Sequence, residues 1–253
     1  MSSVDVRTVG RGPGLLVLPG GSRRAHHYDA FAAALAGDFT VHTLDRRGRG
    51  ASPPMDAEYS LDTEIADALE VLDETGAEQI FGHSYGGLIG LHVALRRDLD
   101  RLVVFEPAVS LAGSFDLSWL DEYDALLAKG RGGTAYAFFL SRMQFMPKSP
   151  LGPAFMCLML HLRRDGAEMR EMLPTVTPEL REVAALDSDG SRYASVTTPT
   201  LLLGGGRSPG YLRDVLPALE AIIPQAKAVI IPEVDHNGPD LSGPEKVATL
   251  IRA

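Results

Sequence analysis

Gln79-Ile80-Phe81-Gly82-His83-Ser84-Tyr85-Gly86-Gly87 is the stretch on which the reading of this sequence turns. Gln79-Ile80-Phe81 has the look of a short buried strand, and residues 85–97 follow a helical pattern, so Gly82-His83-Ser84-Tyr85-Gly86 spans a tight strand-to-helix turn. In that setting a G-x-S-x-G motif has a physical meaning. The turn holds the serine in a strained backbone conformation that projects its hydroxyl, and glycines two residues to either side let neighbouring chain approach without a Cβ clash. The helix that starts there also aims free N–H groups and its positive end at the same point, which favours a developing oxyanion. A phosphate-cradling turn would instead need G-x-G-x-x-G or a following Gly-Lys-Ser/Thr, and neither is present here.

Outward from this turn, apolar runs of strand length alternate with segments of helical period. Residues 15–18, 40–44, 101–105, 200–203 and 228–231 read as strands. Residues 28–35, 61–75, 211–222 and a final segment beginning at Ser242-Gly243-Pro244 read as helices. In the second of these Leu61, Ile65, Ala68, Leu69 and Leu72 share one face, and Gly76 is a good terminator. The alternation predicts an α/β fold, a mainly parallel twisted sheet with helices on both faces. It lapses between about Ser114 and Ala194, where helical patterns hold no buried strand and residues such as Phe115, Trp119, Tyr136, Phe145, Met156 and Met159 concentrate. The expected division is a core of residues 1–113 and 195–253 with an inserted helical cap at 114–194. Most of the cap's large apolar residues should pack it together and onto the sheet, with a subset lining an apolar cleft.

Composition narrows the function classes. The 253 residues carry 24 Lys+Arg against 33 Asp+Glu, a net charge of −9, which argues against nucleic acid because phosphate neutralisation needs a concentrated positive surface. Arg46, Arg47 and Arg49 form one basic cluster, read as a solvated or structurally bonded loop rather than a phosphate site. The single Cys157 excludes an internal disulfide and a Cys-based metal centre. The longest apolar run, residues 154–160, is too short for a membrane span, and Met1-Ser2-Ser3-Val4-Asp5 does not begin a signal peptide, so a cytoplasmic protein is expected.

Four motifs in order resemble the α/β-hydrolase family over nearly the whole chain. Besides the Ser84 turn, Leu18-Pro19-Gly20-Gly21-Ser22 looks like the family's oxyanion turn, with Pro19 where a His is often found. Asp45-Arg46-Arg47-Gly48-Arg49-Gly50-Ala51-Ser52 is similar to its D-x-R-G-x-G-x-S loop, and Asp235-His236 follows the last strand, where the family places its catalytic His. The resemblance implies Ser84 as nucleophile, His236 as general base and then acid, and the backbone N–H groups of Gly21 and Tyr85 as oxyanion donors. Asp45, Arg47 and Ser52 read as a bracing turn. The family's usual acid position holds Arg207, within Gly204-Gly205-Gly206-Arg207-Ser208. Some members place the acid one strand earlier, and there Glu106 stands at a strand's C-terminal end before Pro107, the edge where open α/β sheets gather functional residues. Glu106 is therefore assigned as the acid, with Asp214 as the alternative. Among the other histidines, His26 and His27 lie near the oxyanion turn where they could meet substrate, His83 reads as structural, and His161 has no assignment.

The reading is a cofactor-independent serine hydrolase that cleaves a carboxylic ester or related acyl compound through an acyl-enzyme, with a small apolar or neutral substrate and no metal. A serine at this position argues against the dehalogenases and epoxide hydrolases of the family, which attack with Asp. Carbon–carbon bond hydrolysis, lactone opening and perhydrolysis stay open on the same triad. A small-molecule receptor that keeps the fold without turnover is the reading from another class.

Overall fold

The structure, a computed structural model, describes residues 4–146, 151–162 and 166–252. Its sheet has the order β1-β3-β2-β4-β5-β6-β7, formed by β1 (Val6–Gly10), β2 (Gly14–Leu18), β3 (Thr40–Leu44), β4 (Gln79–His83), β5 (Arg101–Phe105), β6 (Thr200–Gly205) and β7 (Ala226–Ile231). Every neighbouring pair is parallel except β1 with β3. β1 is an edge strand with four of its five residues exposed, so it carries no apolar run.

The period of two along a strand sorts the core into two layers. Leu15, Val17, Phe81, Val103 and Phe105 face α1 (Asp29–Leu35) and α10 (Pro244–Arg252). Leu16, Leu18, Ile80, Leu102 and Val104 face the opposite side, packed with α2 (Leu61–Thr75), α3 (Tyr85–Ala94) and α9 (Gly210–Ile222). α2 ends where its sequence says it should: Gly76 takes a left-handed φ of 67° and its N–H bonds the Leu72 carbonyl at 2.9 Å. α3 is shorter than its pattern suggests. It stops at Ala94 rather than at residue 97 because the N–H groups of Arg96 and Arg97 both turn back to the Val93 carbonyl. Every residue of α3 is buried, and Gly90 lets it sit close on the sheet, since a Cβ there would meet Leu102 and Ile80 at 3.2 and 3.3 Å.

Between β5 and β6 the described residues hold no strand and five α-helices: α4 (Leu120–Ala128), α5 (Gly132–Arg142), α6 (Gly152–Leu162), α7 (Gly166–Met172) and α8 (Val176–Ala185). The ends of this stretch meet. Asp187 accepts from Ser110 Oγ at 2.5 Å and from the Gly113 N–H, and Leu111 bridges to Ser188. Trp119, Tyr123, Phe138 and Phe139 pack edge to face within it. No helix among the described residues is long and apolar enough to cross a membrane.

Candidate active site

β4 delivers Ser84 at its C-terminal end. Ser84 has φ 52° and ψ −115°, a region that residues with a Cβ rarely occupy, and the surrounding bonds hold it there. Its N–H donates to the Phe105 carbonyl at 2.9 Å, and its own carbonyl accepts from Gly87, Leu88 and Ala108. The glycines have a steric job. A Cβ at Gly86 would collide with the Leu18 carbonyl, and one at Gly82 with the Gly86 carbonyl. Only glycine lets the turn, the start of α3 and the end of β2 occupy one place.

β5 ends in Glu106, fully buried and also at positive φ, 45°. Its Oε2 lies 2.7 Å from His236 Nδ1, and its Oε1 accepts the Gly205 N–H at 2.7 Å. The Gly204-Gly205-Gly206 run before Arg207 leaves room for a carboxylate arriving from the neighbouring β5: a Cβ at Gly204 would stand 3.5 Å from Glu106 Oε1. Arg207 points to solvent. Asp214 is exposed on α9 and borders a separate depression with Leu111, Ser114 and Tyr211, so it is not brought to His236. The loop carrying His236 is fixed by Asp235, whose Oδ1 accepts from the Asn237 N–H and Ser242 Oγ. Phe145, from the segment after α5, stacks on the His236 ring at 4.8 Å with 10° between planes.

The Gly20-Gly21-Ser22 turn is held from below by Arg46, whose Nε donates to the Pro19 carbonyl at 2.9 Å and Nη2 to the Gly20 carbonyl at 3.1 Å. The carbonyl of Gly20 and the N–H of Gly21 belong to one trans peptide and point in opposite directions. Anchoring the first on Arg46 therefore turns the second away, and Gly21, like Tyr85, lines the cavity above Ser84. Arg46 also sits over the Tyr85 ring, 4.9 Å from its centre. The Arg cluster is thus bonded, not solvated. Arg46 and Arg49 are fully buried, Arg46 pairs with Glu64 at 2.7 Å and both arginines pair with Glu179. Arg47 pairs with Asp67. Asp45 accepts from the Ala25 N–H and from Arg24, and Ser52 Oγ donates to the Asp45 carbonyl, which braces the turn as expected.

His83 takes part in a buried chain that ties the Gly20-Gly21 turn to the His236 loop. The Gly20 N–H donates to Tyr28 Oη at 3.0 Å, Tyr28 Oη lies 2.6 Å from His83 Nδ1, and His83 Nε2 lies 2.8 Å from the His236 carbonyl. A carbonyl only accepts, so Nε2 carries the proton and Tyr28 donates to Nδ1. Burial above all, with His236 and Arg23 nearby, holds the His83 pKa well below the usual histidine range, which keeps the ring neutral.

His26, His27 and Glu168 of α7 offer three ligand atoms within 4.8 Å of one another, the one such cluster found among the described residues. His27 Nδ1 accepts the Arg24 N–H at 2.9 Å, which places its ring proton on Nε2, facing Glu168. That is the geometry of a contact between core and α7 and not of a metal ligand, which must offer a lone pair. His27 also borders the cavity above Ser84. The His161 side chain and Met1–Ser3 lie outside the described residues.

That cavity has a volume of about 470 Å³ and contains Ser84 and His236 at its floor, with Tyr136, Phe139, Met143, Phe145 and Met156 among the residues the helical insert supplies. The model of the alpha/beta hydrolase family matches residues 15–250. The chain belongs to the alpha/beta hydrolase family. It is 24% identical over 259 residues to a pimeloyl-acyl-carrier-protein methyl ester esterase of Nitrosomonas europaea, with all of both chains covered. It is 26% identical to the enzyme of that name from Aeromonas hydrophila, with 98% of each chain covered. Among solved structures, an alpha/beta hydrolase from Sphaerobacter thermophilus superposes with a TM-score of 0.82 at 28% identity, over 98% of this chain and 94% of the other. This hydrolase is therefore an enzyme of that fold. Phe145 and Tyr28 are site neighbours that the sequence did not reveal, because each reaches the site by a contact with no local spacing to mark it, and Arg46 stood out only as one of a basic cluster.

Proposed function

We propose that this hydrolase cleaves a carboxylic ester through an acyl-enzyme, with Ser84 as nucleophile, His236 as base and then acid, and Glu106 as the orienting carboxylate. The observation that carries the reading is the 2.7 Å contact of His236 Nδ1 with buried Glu106, beside a serine on a strained strand-to-helix turn. With the Nδ1 proton held by Glu106, Nε2 is left as the base. It takes the Ser84 proton as Oγ attacks the carbonyl carbon. The oxyanion forms against the N–H groups of Gly21 and Tyr85. Its collapse breaks the bond to the alkoxy oxygen, which leaves as the alcohol with the proton from His236. Water, deprotonated by His236, then releases the acid and restores Ser84. The cycle uses the chain's own residues and water alone.

Residues 114–194 act in this reading as a cap whose apolar side chains receive a small apolar or neutral acyl group. The full-length similarity to methyl ester esterases supports an ester as the substrate class. A fluorophosphonate probe should label Ser84, as mapped on the tryptic peptide, and short-chain esters should turn over. An unlabelled Ser84 together with no ester hydrolysis would overturn the reading. Ser84→Ala or His236→Ala should lower kcat by about 10⁴ to 10⁶, and Glu106→Gln by about 10³ or more, with far-UV circular dichroism unchanged. Full activity in Glu106→Gln would remove Glu106 from the triad.

A further inference from the structure

The cavity is apolar where the insert lines it, but one corner is built differently. Ser22, Arg23, Asn237 and Asp240 meet there, all on its wall. The Arg23 guanidinium staples two loops together: Nε donates to Asp240 Oδ2, Nη2 to Asn237 Oδ1 at 3.0 Å and Nη1 to the Ser22 carbonyl at 3.2 Å. One loop continues the Gly20-Gly21 turn, and the other continues from His236.

Two polar atoms in this corner are left over. Ser22 Oγ and Asp240 Oδ1 are buried and have no hydrogen-bond partner among the described residues. Ser22 is 6% exposed and the Asp240 side chain 4%, so bulk solvent does not serve them. Ser22 is also held at φ 52°, the conformation of a residue fixed by its surroundings. A third acceptor stands close by, since a Cβ at Gly21 would lie 3.1 Å from Glu179 Oε2. The corner thus offers a carboxylate oxygen that only accepts and a hydroxyl that both accepts and donates. An alkyl group placed there would leave both unpaired, and a carboxylate would face the acceptors of Asp240 and Glu179. A neutral group that donates a hydrogen bond satisfies both.

We infer that Ser22 and Asp240 form a substrate subsite for a hydroxyl or amide N–H carried close to the scissile ester. The inference rests on the proposed role of Ser84 and deepens it by naming the substrate class. Ser22 and Asp240 line the same cavity as Ser84 and His236, and Ser22 stands two residues beyond Gly20, whose Cβ position would lie 3.4 Å from Ser84 Cβ. Arg23 acts here by positioning, holding Asp240 and Asn237 rather than meeting the substrate.

The test is kcat/KM for three matched ester pairs on the purified full chain. Methyl 3-hydroxybutanoate against methyl butanoate probes a hydroxyl on the acyl side, and 2-hydroxyethyl butanoate against propyl butanoate probes the alcohol side. Methyl N-acetylglycinate against methyl 4-oxopentanoate probes an N–H. At least one donor-bearing ester should exceed its partner by about tenfold or more, as expected where a buried polar site goes unpaired with the analogue. That ratio should fall to within about threefold of unity in Ser22→Ala and in Asp240→Asn, whatever the absolute rates. Ratios near or below one in all three wild-type pairs, or a preference that persists in Ser22→Ala, would overturn the subsite while leaving the esterase reading intact. Should Asp240→Asn fail to fold, Ser22→Ala decides the matter alone, since it removes one oxygen and keeps the Arg23 pair. Absence of any ester turnover together with an unlabelled Ser84 is the different failure, that of the proposed function.

Discussion

Tyr28 shows how much one hydroxyl can hold. Its Oη accepts the Gly20 N–H and donates to His83 Nδ1, and the ring is fully buried, so no water can replace either bond. Tyr28→Phe keeps the ring and strands two buried polar groups, each worth about 1–3 kcal/mol when unpaired. The expected result is a loss of about 2–6 kcal/mol in urea unfolding, with the transition still cooperative; a loss below about 0.5 kcal/mol would mean that the bonds from Gly20 to the His236 loop add nothing to stability. Arg46 supports a second prediction at the same scale. Its planar fork serves the carbonyls of Pro19 and Gly20 and the carboxylates of Glu64 and Glu179 at once. Lysine keeps the charge but cannot span these acceptors. Arg46→Lys should therefore lower kcat by about tenfold or more through a misaligned Gly21 N–H, with KM changed far less. An equal fall in kcat and rise in KM would assign Arg46 to holding α8 through Glu179 instead of to the Gly20-Gly21 turn.

The elements meet at this site through backbone approach, and glycine substitutions separate that from general flexibility. Gly86→Ala puts a methyl into the Leu18 carbonyl, backbone against backbone, where nothing can give locally. It should cost about 1–3 kcal/mol or more and reduce soluble yield. Gly37 has open space at its Cβ position and no positive φ, so Gly37→Ala should fall within about 0.5 kcal/mol of wild type. Equal effects at the two positions would refute the close-approach argument. The same contrast explains what could be read from sequence. The strands, α2 with its Gly76 stop and the turn around Ser84 are written in local periods and local steric needs, and these are the parts the chain states openly. The placing of Glu106 beside His236 was legible for a related reason: Glu106 ends a strand, and Arg207 stands after the neighbouring strand where a carboxylate would otherwise be sought. Arg46 and Arg49 were not, because what turns a basic loop into a buried ion-pair cluster is Glu179, 133 and 130 residues further along the chain. Phe145 on His236, and Arg23 with Asp240 and Asn237, are likewise contacts between distant loops that no spacing encodes. β1 lacked an apolar run because it is an edge strand with four of its five residues exposed.

Over the whole molecule, burial of histidines in neutral form makes stability depend on pH in a predictable sense. His92 is buried beside Tyr193, and burial, aided by Arg192 and Arg96, lowers its pKa to about 4; burial also lowers His83 and His42. In the unfolded chain each returns to about 6.5. Between those values the unfolded state binds a proton that the folded state does not, so stability is fully present above about pH 6.5 and falls as pH drops toward the folded pKa. The slope is at most about 1.4 kcal/mol per pH unit per histidine, which for His92 amounts to about 2 kcal/mol between pH 6.5 and 5. The urea midpoint should accordingly decline from pH 7 to 5, before most carboxylates in this chain of net charge −9 begin to take up protons. His92→Gln removes one titrating group, so its midpoint should decline less steeply even if it starts lower. The slope is the quantity that decides, because a merely structural loss would shift the whole curve down in parallel. Parallel curves for wild type and His92→Gln would mean that His92 is protonated equally in the folded and unfolded chain, contrary to its burial.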